Sequence, residues 1–421
     1  MRPAALLELT AALVQAVLRL EQPADRIVSG FFREHRALGP RERHTLAETA
    51  YAVLRRRLLL QHLAQSGQGP LERRLAILGW QGSAEFLRAA LQPPEQAWLE
   101  QVSAVDLGQL PERLRHNLPA WVADPLRAEL GEEAFWALCR ALDVPAPLDL
   151  RVNVLKARRE DVQQALQALG VASTPTPHSP WGLRLADKPA LTKMGPFERG
   201  EVEVQDEGSQ LLALLTGARR GELVVDFCAG AGGKTLALGA MMRNTGRLYA
   251  LDTSGHRLAA LKPRLARSGL SNVHPVQIAH ERDDRLRRLA GKADRVLVDA
   301  PCSGLGTLRR NPDLKWRQSP DTVQSLQAQQ RTILQAAARL LRPGGRLVYA
   351  TCSLLRAENE EVAAAFGADH ARDFEPLPAS EALGEARVPD PAALTDGPAL
   401  RLWPHRHHTD GFYAMAWQRR A

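Results

Sequence analysis

Two short stretches place a thiol directly after an apolar run: LVDAPCSG at 297–304 carries Cys302, and YATCSLL at 349–355 carries Cys352. Each reads as a buried strand, a short polar turn, a cysteine and a serine. Open α/β sheets present their chemistry at such strand ends, and a thiol there is a candidate nucleophile. The other two of the four cysteines read differently: Cys139 lies in the apolar helical stretch AFWALCRAL as a small core residue, and Cys228 opens a glycine-rich turn. With no C-x-x-C pair and no histidine at ligand spacing, neither a disulfide framework nor a metal is expected.

The glycine-rich turn is DFCAGAGGKT, 226–235, between a predicted strand and a predicted helix. Glycines there let a ligand approach the backbone and expose helix N-terminal amides to it. A dinucleotide fingerprint requires glycine at 230, 232 and 235, but 235 is Thr; a Walker A loop requires glycine at 228, which is Cys. S-adenosylmethionine is the third candidate. It needs close backbone approach and an acid for its ribose, and Asp252 follows Gly230 by 22 residues, the spacing at which a ribose-binding acid follows such a turn.

Thiols and a methyl donor together suggest one particular problem. A methyl group passes directly to an amine or an oxyanion, but carbon 5 of a pyrimidine is too poor a nucleophile. Addition of a cysteine thiolate to carbon 6 makes carbon 5 enamine-like, so that it attacks the sulfonium methyl; loss of the carbon-5 proton then expels the thiol. The scheme needs a nucleophilic cysteine, a polar group on the N3/N4 edge of the base, and a group that assists release.

These residues require a sheet to position them. From residue 203 short apolar runs alternate with helical segments: 222–227, 247–252, 274–279, 294–299 and 346–351, which predicts a doubly wound parallel sheet, with strand-like segments in the tail LRLWPHRHHTDGFYAMAW closing one edge. Residues 144–202, with LDLRVNV, REDVQQALQALG and WGLRL, predict a small α+β module. Residues 1–143 read as helices, beginning with the stripe Leu6, Leu9, Leu13, Val17 and Leu20 and broken at Gly39-Pro40. The expected class is therefore α/β, in three parts: 1–143, 144–202 and 203–421.

Composition points to an anionic partner, with 55 Lys+Arg against 47 Asp+Glu and a net charge of +8. Ten arginines against six acids fall in residues 1–68, and Arg33, Arg36, Arg41, Arg43 and Arg55 to Arg57 are candidates for an RNA-facing surface. The loop LRRNPDLKWR, 308–317, offers Arg309, Arg310, Lys315, Arg317 and Trp316 for phosphate contact and base stacking. Glu8 interrupts the first apolar run and no run approaches a membrane span, so a cytoplasmic protein is expected.

In DFCAGAGGKT, ALD, LVDAPCSGLGTLRRNPDLKW, LRPGGRLVYATCSLLRAENE and DGFYAMAW, in that order, the chain resembles the Sun-type RNA cytosine-5 methyltransferase family along essentially its full length. The resemblance implies a helical NusB-like RNA-binding domain, a small α+β module and a Rossmann-type S-adenosyl-L-methionine-dependent catalytic domain, with RNA, most of all small-subunit ribosomal RNA or its assembly intermediate, as partner; a monomer is expected. It implies Cys352 as nucleophile and Cys302 as the thiol that assists product release. Asp299 would bind the cytosine edge close to the cofactor, and Lys234 would also reach the base. Cys228, Ala229, Gly230, Ala231, Gly232, Gly233 and Lys234 would cradle the cofactor, and Asp252 would hold its ribose. Where relatives end the third strand in Gly-Asp-Ala, this chain reads QIAHERDD, so His280 or Glu281 is left for the adenine side. Transfer RNA as substrate and a non-catalytic RNA-binding assembly factor are the competing readings; a nicotinamide-linked oxidoreductase needs neither cysteine.

Overall fold

The computed structural model describes residues 1–421, which form two compact units: residues 1–145 with 307–320, and 146–306 with 321–421. No helix is long and apolar enough to cross a membrane.

The first unit is helical. Pro3–Leu18, Ala24–Glu34, Pro40–Arg55 and Leu71–Leu78 close on Leu7, Leu13, Leu46, Leu54 and Leu75, all fully buried. The break at Gly39-Pro40 has a local cause. Proline occupies the first helical position, where its missing N–H is not needed, and Glu42 reaches back to accept from the Gly39 amide at 2.7 Å. Leu20 ends the apolar stripe outside the first helix, at φ 59°.

Two expectations about this unit are corrected. The Arg55 to Arg57 run is not a free cationic face: Arg55 is buried and donates to the Arg309 carbonyl at 3.0 Å, Arg56 pairs with Asp143 at 2.9 Å, and Arg57 lies over the Trp316 ring. Segment 308–317 is likewise not a solvated RNA loop. Trp316 donates to the Leu54 carbonyl at 2.6 Å, the Lys315 ammonium to the Arg55 carbonyl at 2.7 Å, and Arg317 pairs with Asp313 at 3.3 Å. The physical reason is that the open carbonyls at the end of helix Pro40–Arg55 attract cations and N–H donors. Arg33, Arg36 and Arg41 do remain exposed, whereas Arg43 is used on the Leu38 carbonyl at 2.9 Å.

Burial pushes Lys315 down to about 7. Between that value and the ordinary lysine range the unfolded chain holds the extra proton, so this group makes stability rise with pH across the window. Lys315→Met should raise the unfolding midpoint most at and below neutral pH, with the gain shrinking towards about pH 10 in calorimetric scans. A pH-independent difference would mean that Lys315 is not desolvated.

In the second unit, β1 (Leu148–Val152), β2 (Ser173–Pro175), β3 (Gly182–Leu185) and β4 (Val202–Val204) form an antiparallel sheet of order β2-β3-β1-β4, with helix Arg159–Ala168 between its first two strands. The larger sheet has nine strands. Its parallel part comprises β5 (Leu223–Asp226), β6 (Arg247–Asp252), β7 (Val273–Gln277), β8 (Ala293–Asp299) and β9 (Leu341–Thr351). With β10 (Phe374–Leu377), β11 (Thr395–Asp396), β12 (Ala399–Leu402) and β13 (Phe412–Arg419), the order is β11-β12-β13-β9-β8-β5-β6-β7, and β10 pairs with β13.

The tail strand β13 runs antiparallel to β9 but is not the edge, because β12 and β11 continue beyond it. Chain order reverses between β5 and β8, and the crevice for a ligand lies at such a switch point. Both sheet faces are covered, so Val224, Val225, Val296, Leu297, Val298, Leu347, Val348 and Tyr349 are all fully buried; this is why the strands read as continuous apolar runs.

Candidate active site

Strand β5 ends at the switch point, and its chain turns between both neighbours: the Phe227 amide donates to the Leu297 carbonyl of β8 and the Ala229 amide to the Leu251 carbonyl of β6, each at 2.8 Å. Gly230 and Gly232 then adopt φ of 56° and 83°, the left-handed region that favours glycine. A Cβ on Gly232 would stand 2.2 Å from Leu261 Cδ1, whereas one on Gly230 would meet nothing within 4 Å. The turn is closed on one side and open on the other. Helix Gly233–Met241 starts at its end, so first-turn amides border the open side.

Three acids surround this turn. Asp252, at the end of β6, accepts from the Gly230 amide at 2.8 Å through one oxygen and from the Ser254 amide at 2.7 Å through the other. Each carboxylate oxygen keeps a second acceptor site, so a ribose hydroxyl can still be bound. Asp226 accepts from the Thr235 hydroxyl at 2.7 Å, but its Oδ1 is buried with no hydrogen-bond partner. Burial pushes its carboxyl up to about 7, against the Thr235 hydrogen bond, and Asp299 and Asp252 add to the rise. A glycine cradle, an acceptor without a donor and a carboxylate at the next strand end fit the amino-acid end and ribose of S-adenosylmethionine.

Asp299, the last residue of β8, accepts from the Lys234 ammonium at 2.7 Å. Burial works against the Lys234 charge, but Asp299 outweighs it and holds the ammonium above its ordinary value. The Phe412 ring centroid lies 6.0 Å from the same ammonium. Past the strand ends, the Cys302 and Cys352 Sγ atoms are 3.4 Å apart. The contact with Cys352, burial, and then the charges of Cys352 and Glu358 push the Cys302 thiol well above its ordinary range. Burial, followed by Asp226, Asp299 and Asp252, does the same to Cys228. Cys139 is a buried core residue, its thiol pushed up to about 12 by burial.

Cys302, Cys352, Asp299 and Lys234 thus converge at one end of the sheet, next to the turn 228–233 and Asp252. At the end of β7, Asp283 takes the Ala279 amide at 2.7 Å and the Arg285 amide at 2.9 Å, while His280 accepts from the Arg282 amide at 3.1 Å, so His280 is engaged within its own turn. Several participants were not singled out from sequence. Arg264 donates to the Ala231 carbonyl at 2.6 Å and is held by Glu203 of β4 at 3.0 Å, and Arg151 of β1 donates to Gln205 at 2.6 Å, so the small sheet braces the cradle. Gly306 and Gly411 pack backbone to backbone: a Cβ on Gly306 would sit 2.0 Å from the Gly411 carbonyl oxygen. That close approach is what DGF in the tail motif provides.

Fold and site define a Rossmann-type methyltransferase. Residues 213–418 match the model of the family described as 16S rRNA methyltransferase RsmB/F, and residues 118–192 that of the RsmF/B-like ferredoxin-like domain. The chain belongs to the RsmB/F family. It is 34% identical over 338 residues to a protein of Synechocystis named as a probable ribosomal RNA small subunit methyltransferase B, covering 80% of this chain and 74% of that one. It is 37% identical over 292 residues to the ribosomal RNA small subunit methyltransferase B of Xylella fastidiosa, covering 69% and 66%. Among solved structures, a methyltransferase homolog from Pyrococcus horikoshii aligns at TM-score 0.62 and 30% identity, covering 75% of this chain and 100% of that one. NSun6 from Pyrococcus horikoshii, solved with SFG, shares the fold at TM-score 0.62 and 21% identity, over 72% and 98%.

Asp252→Asn keeps an acceptor for one loop amide and removes the charge. It should weaken S-adenosylmethionine binding about tenfold, or about 1.4 kcal/mol, in titration calorimetry. Unchanged affinity would take Asp252 out of the cofactor site.

Proposed function

We propose that this RNA methyltransferase transfers a methyl group from S-adenosylmethionine to carbon 5 of a cytosine in 16S ribosomal RNA, through a covalent adduct between Cys352 and carbon 6. The observation that carries the reading is the 3.4 Å contact between two thiols on adjacent strand ends, beside the Lys234–Asp299 pair. Direct transfer to a nitrogen or oxygen has no use for the second thiol. The SFG held by NSun6 is an analogue of S-adenosylmethionine, and the names of the relatives support ribosomal RNA as substrate.

A stacked cytosine hides carbon 6, so the target is unpaired or flipped out, at a cost of a few kcal/mol. Asp299 accepts from the exocyclic amine and Lys234 donates to the same polar edge. Both were paired before the base arrived, so little reorganisation is needed. The Cys352 thiolate adds to carbon 6, and the electron pair moves to carbon 5. S-adenosylmethionine supplies the electrophilic methyl. Cys302 gives its own proton to solvent and takes the carbon-5 proton in its place; the pair of that carbon–hydrogen bond forms the carbon-5–carbon-6 double bond, and the carbon–sulfur bond breaks with its electron pair returning to Cys352. A ribosomal RNA substrate is in keeping with the expected cytoplasmic location.

The two thiols should therefore fail differently. Cys352→Ala should form no adduct and no product. Cys302→Ala should attack and methylate but release slowly, leaving a protein–RNA complex that survives denaturing electrophoresis when cofactor and RNA are both present. If Cys352→Ala accumulates the complex and Cys302→Ala does not, the roles are exchanged. Running the assay on 16S ribosomal RNA and on transfer RNA separates the two substrates.

A further inference from the structure

Glu358 is fully buried, and hydrogen bonds converge on it from both cysteine turns. One carboxylate oxygen accepts from the Ser303 amide at 2.8 Å and from the Gln330 side chain at 3.1 Å. The other accepts from the hydroxyls of Ser303 and Ser353, which are themselves 3.2 Å apart. Ser303 directly follows Cys302, and Ser353 directly follows Cys352. Glu358 is itself fixed: its carbonyl accepts from the Tyr349 hydroxyl at 2.5 Å, and the neighbouring Asn359 side chain donates to the Ser353 carbonyl at 3.0 Å. Gln330 completes the tie by donating to the Pro301 carbonyl at 2.9 Å.

A fully buried carboxylate is unfavourable unless several donors replace its water. Here four donors do so, and three of them belong to the serines beside the two thiols. A core position that served packing alone would be filled more favourably by an apolar side chain. We propose that Glu358 is a positioning residue, whose carboxylate fastens the Cys302 turn to the Cys352 turn and so sets the contact between the thiols. The inference rests on the two-thiol reading for its catalytic meaning, but the geometry it asserts can be tested without RNA or methyl transfer.

Reach and charge are separable by substitution. Glu358→Gln has the parent's reach and keeps one acceptor oxygen; Glu358→Asp keeps the charge but is one methylene short; Glu358→Ala keeps neither. The thiol contact is read with diamide, a diazene that takes two electrons and two protons from a pair of thiols, leaving a disulfide and the hydrazine. Peptide mass spectrometry follows the Cys302–Cys352 disulfide. Relative to the parent, Glu358→Gln should form it within about threefold of the parent rate, whereas Glu358→Asp and Glu358→Ala should slow it at least about tenfold, the scale of a lost hydrogen bond to a charged group.

Calorimetric titration with S-adenosylmethionine checks each variant, because the glycine cradle makes no hydrogen bond to the Glu358 side chain. Parent-like disulfide formation in Glu358→Asp and Glu358→Ala, with cofactor affinity intact, would overturn the proposal. Loss of cofactor binding in Glu358→Gln as well would reduce Glu358 to a folding role and overturn it too. Failure of the two-thiol reading looks different: Cys302→Ala and Cys352→Ala would behave alike in the adduct assay, with the diamide rates unaffected.

Discussion

The parallel pairing of β8 with β9 is the constraint on which the site depends. Their register sets Asp299 opposite Ala350, and the Ala300 amide continues the ladder to the Ala350 carbonyl at 2.9 Å. Both chains therefore leave the sheet at one level, and the turns that follow bring the two thiols together. Slipping the register by one residue would turn every side chain of β9 to the opposite face. Full burial on both faces forbids this, so the apolar content of VLV at 296–298 and LVYA at 347–350 is part of the geometry of the site.

The second feature is an uneven distribution of charge around that level. Asp226, Asp252 and Asp299 end three neighbouring strands, and Lys234 is the cation paired with one of them. Burial, with help from Asp299 and Asp252, raises the Asp226 carboxyl; burial and then the three carboxylates raise the Cys228 thiol; the contact with Cys352 and burial raise the Cys302 thiol. The Cys352 turn is tied to the Cys302 turn through Glu358. In the proposed mechanism two chemically identical side chains in contact carry different tasks because their surroundings differ.

Much of this was legible in the sequence because it is local. The glycine turn and both cysteine turns follow strands whose apolar runs are recognisable, Asp252 ends one of them, and the parallel strands lie within five residues of the expected limits. Long-range side-chain partnerships were not legible. Arg55 and Lys315 looked like part of a cationic surface because buried and solvated cations are written with the same letters; only the fold reveals that backbone carbonyls wait for them. Glu358, Arg264, Gln205 and Arg151 were missed for the converse reason: each acts through a partner distant in sequence or through a turn whose packing no periodicity reports.

The central claim is that Cys352 makes the covalent bond. RNA carrying 5-fluorocytidine tests it directly, since fluorine on carbon 5 leaves no proton to be lost after methyl transfer and the carbon–sulfur bond cannot then be broken by elimination. With S-adenosylmethionine present, mass spectrometry of the digested complex should find the modified nucleotide on Cys352 alone. Attachment at Cys302, or turnover of ordinary RNA with no adduct on the fluorinated substrate, would contradict the account.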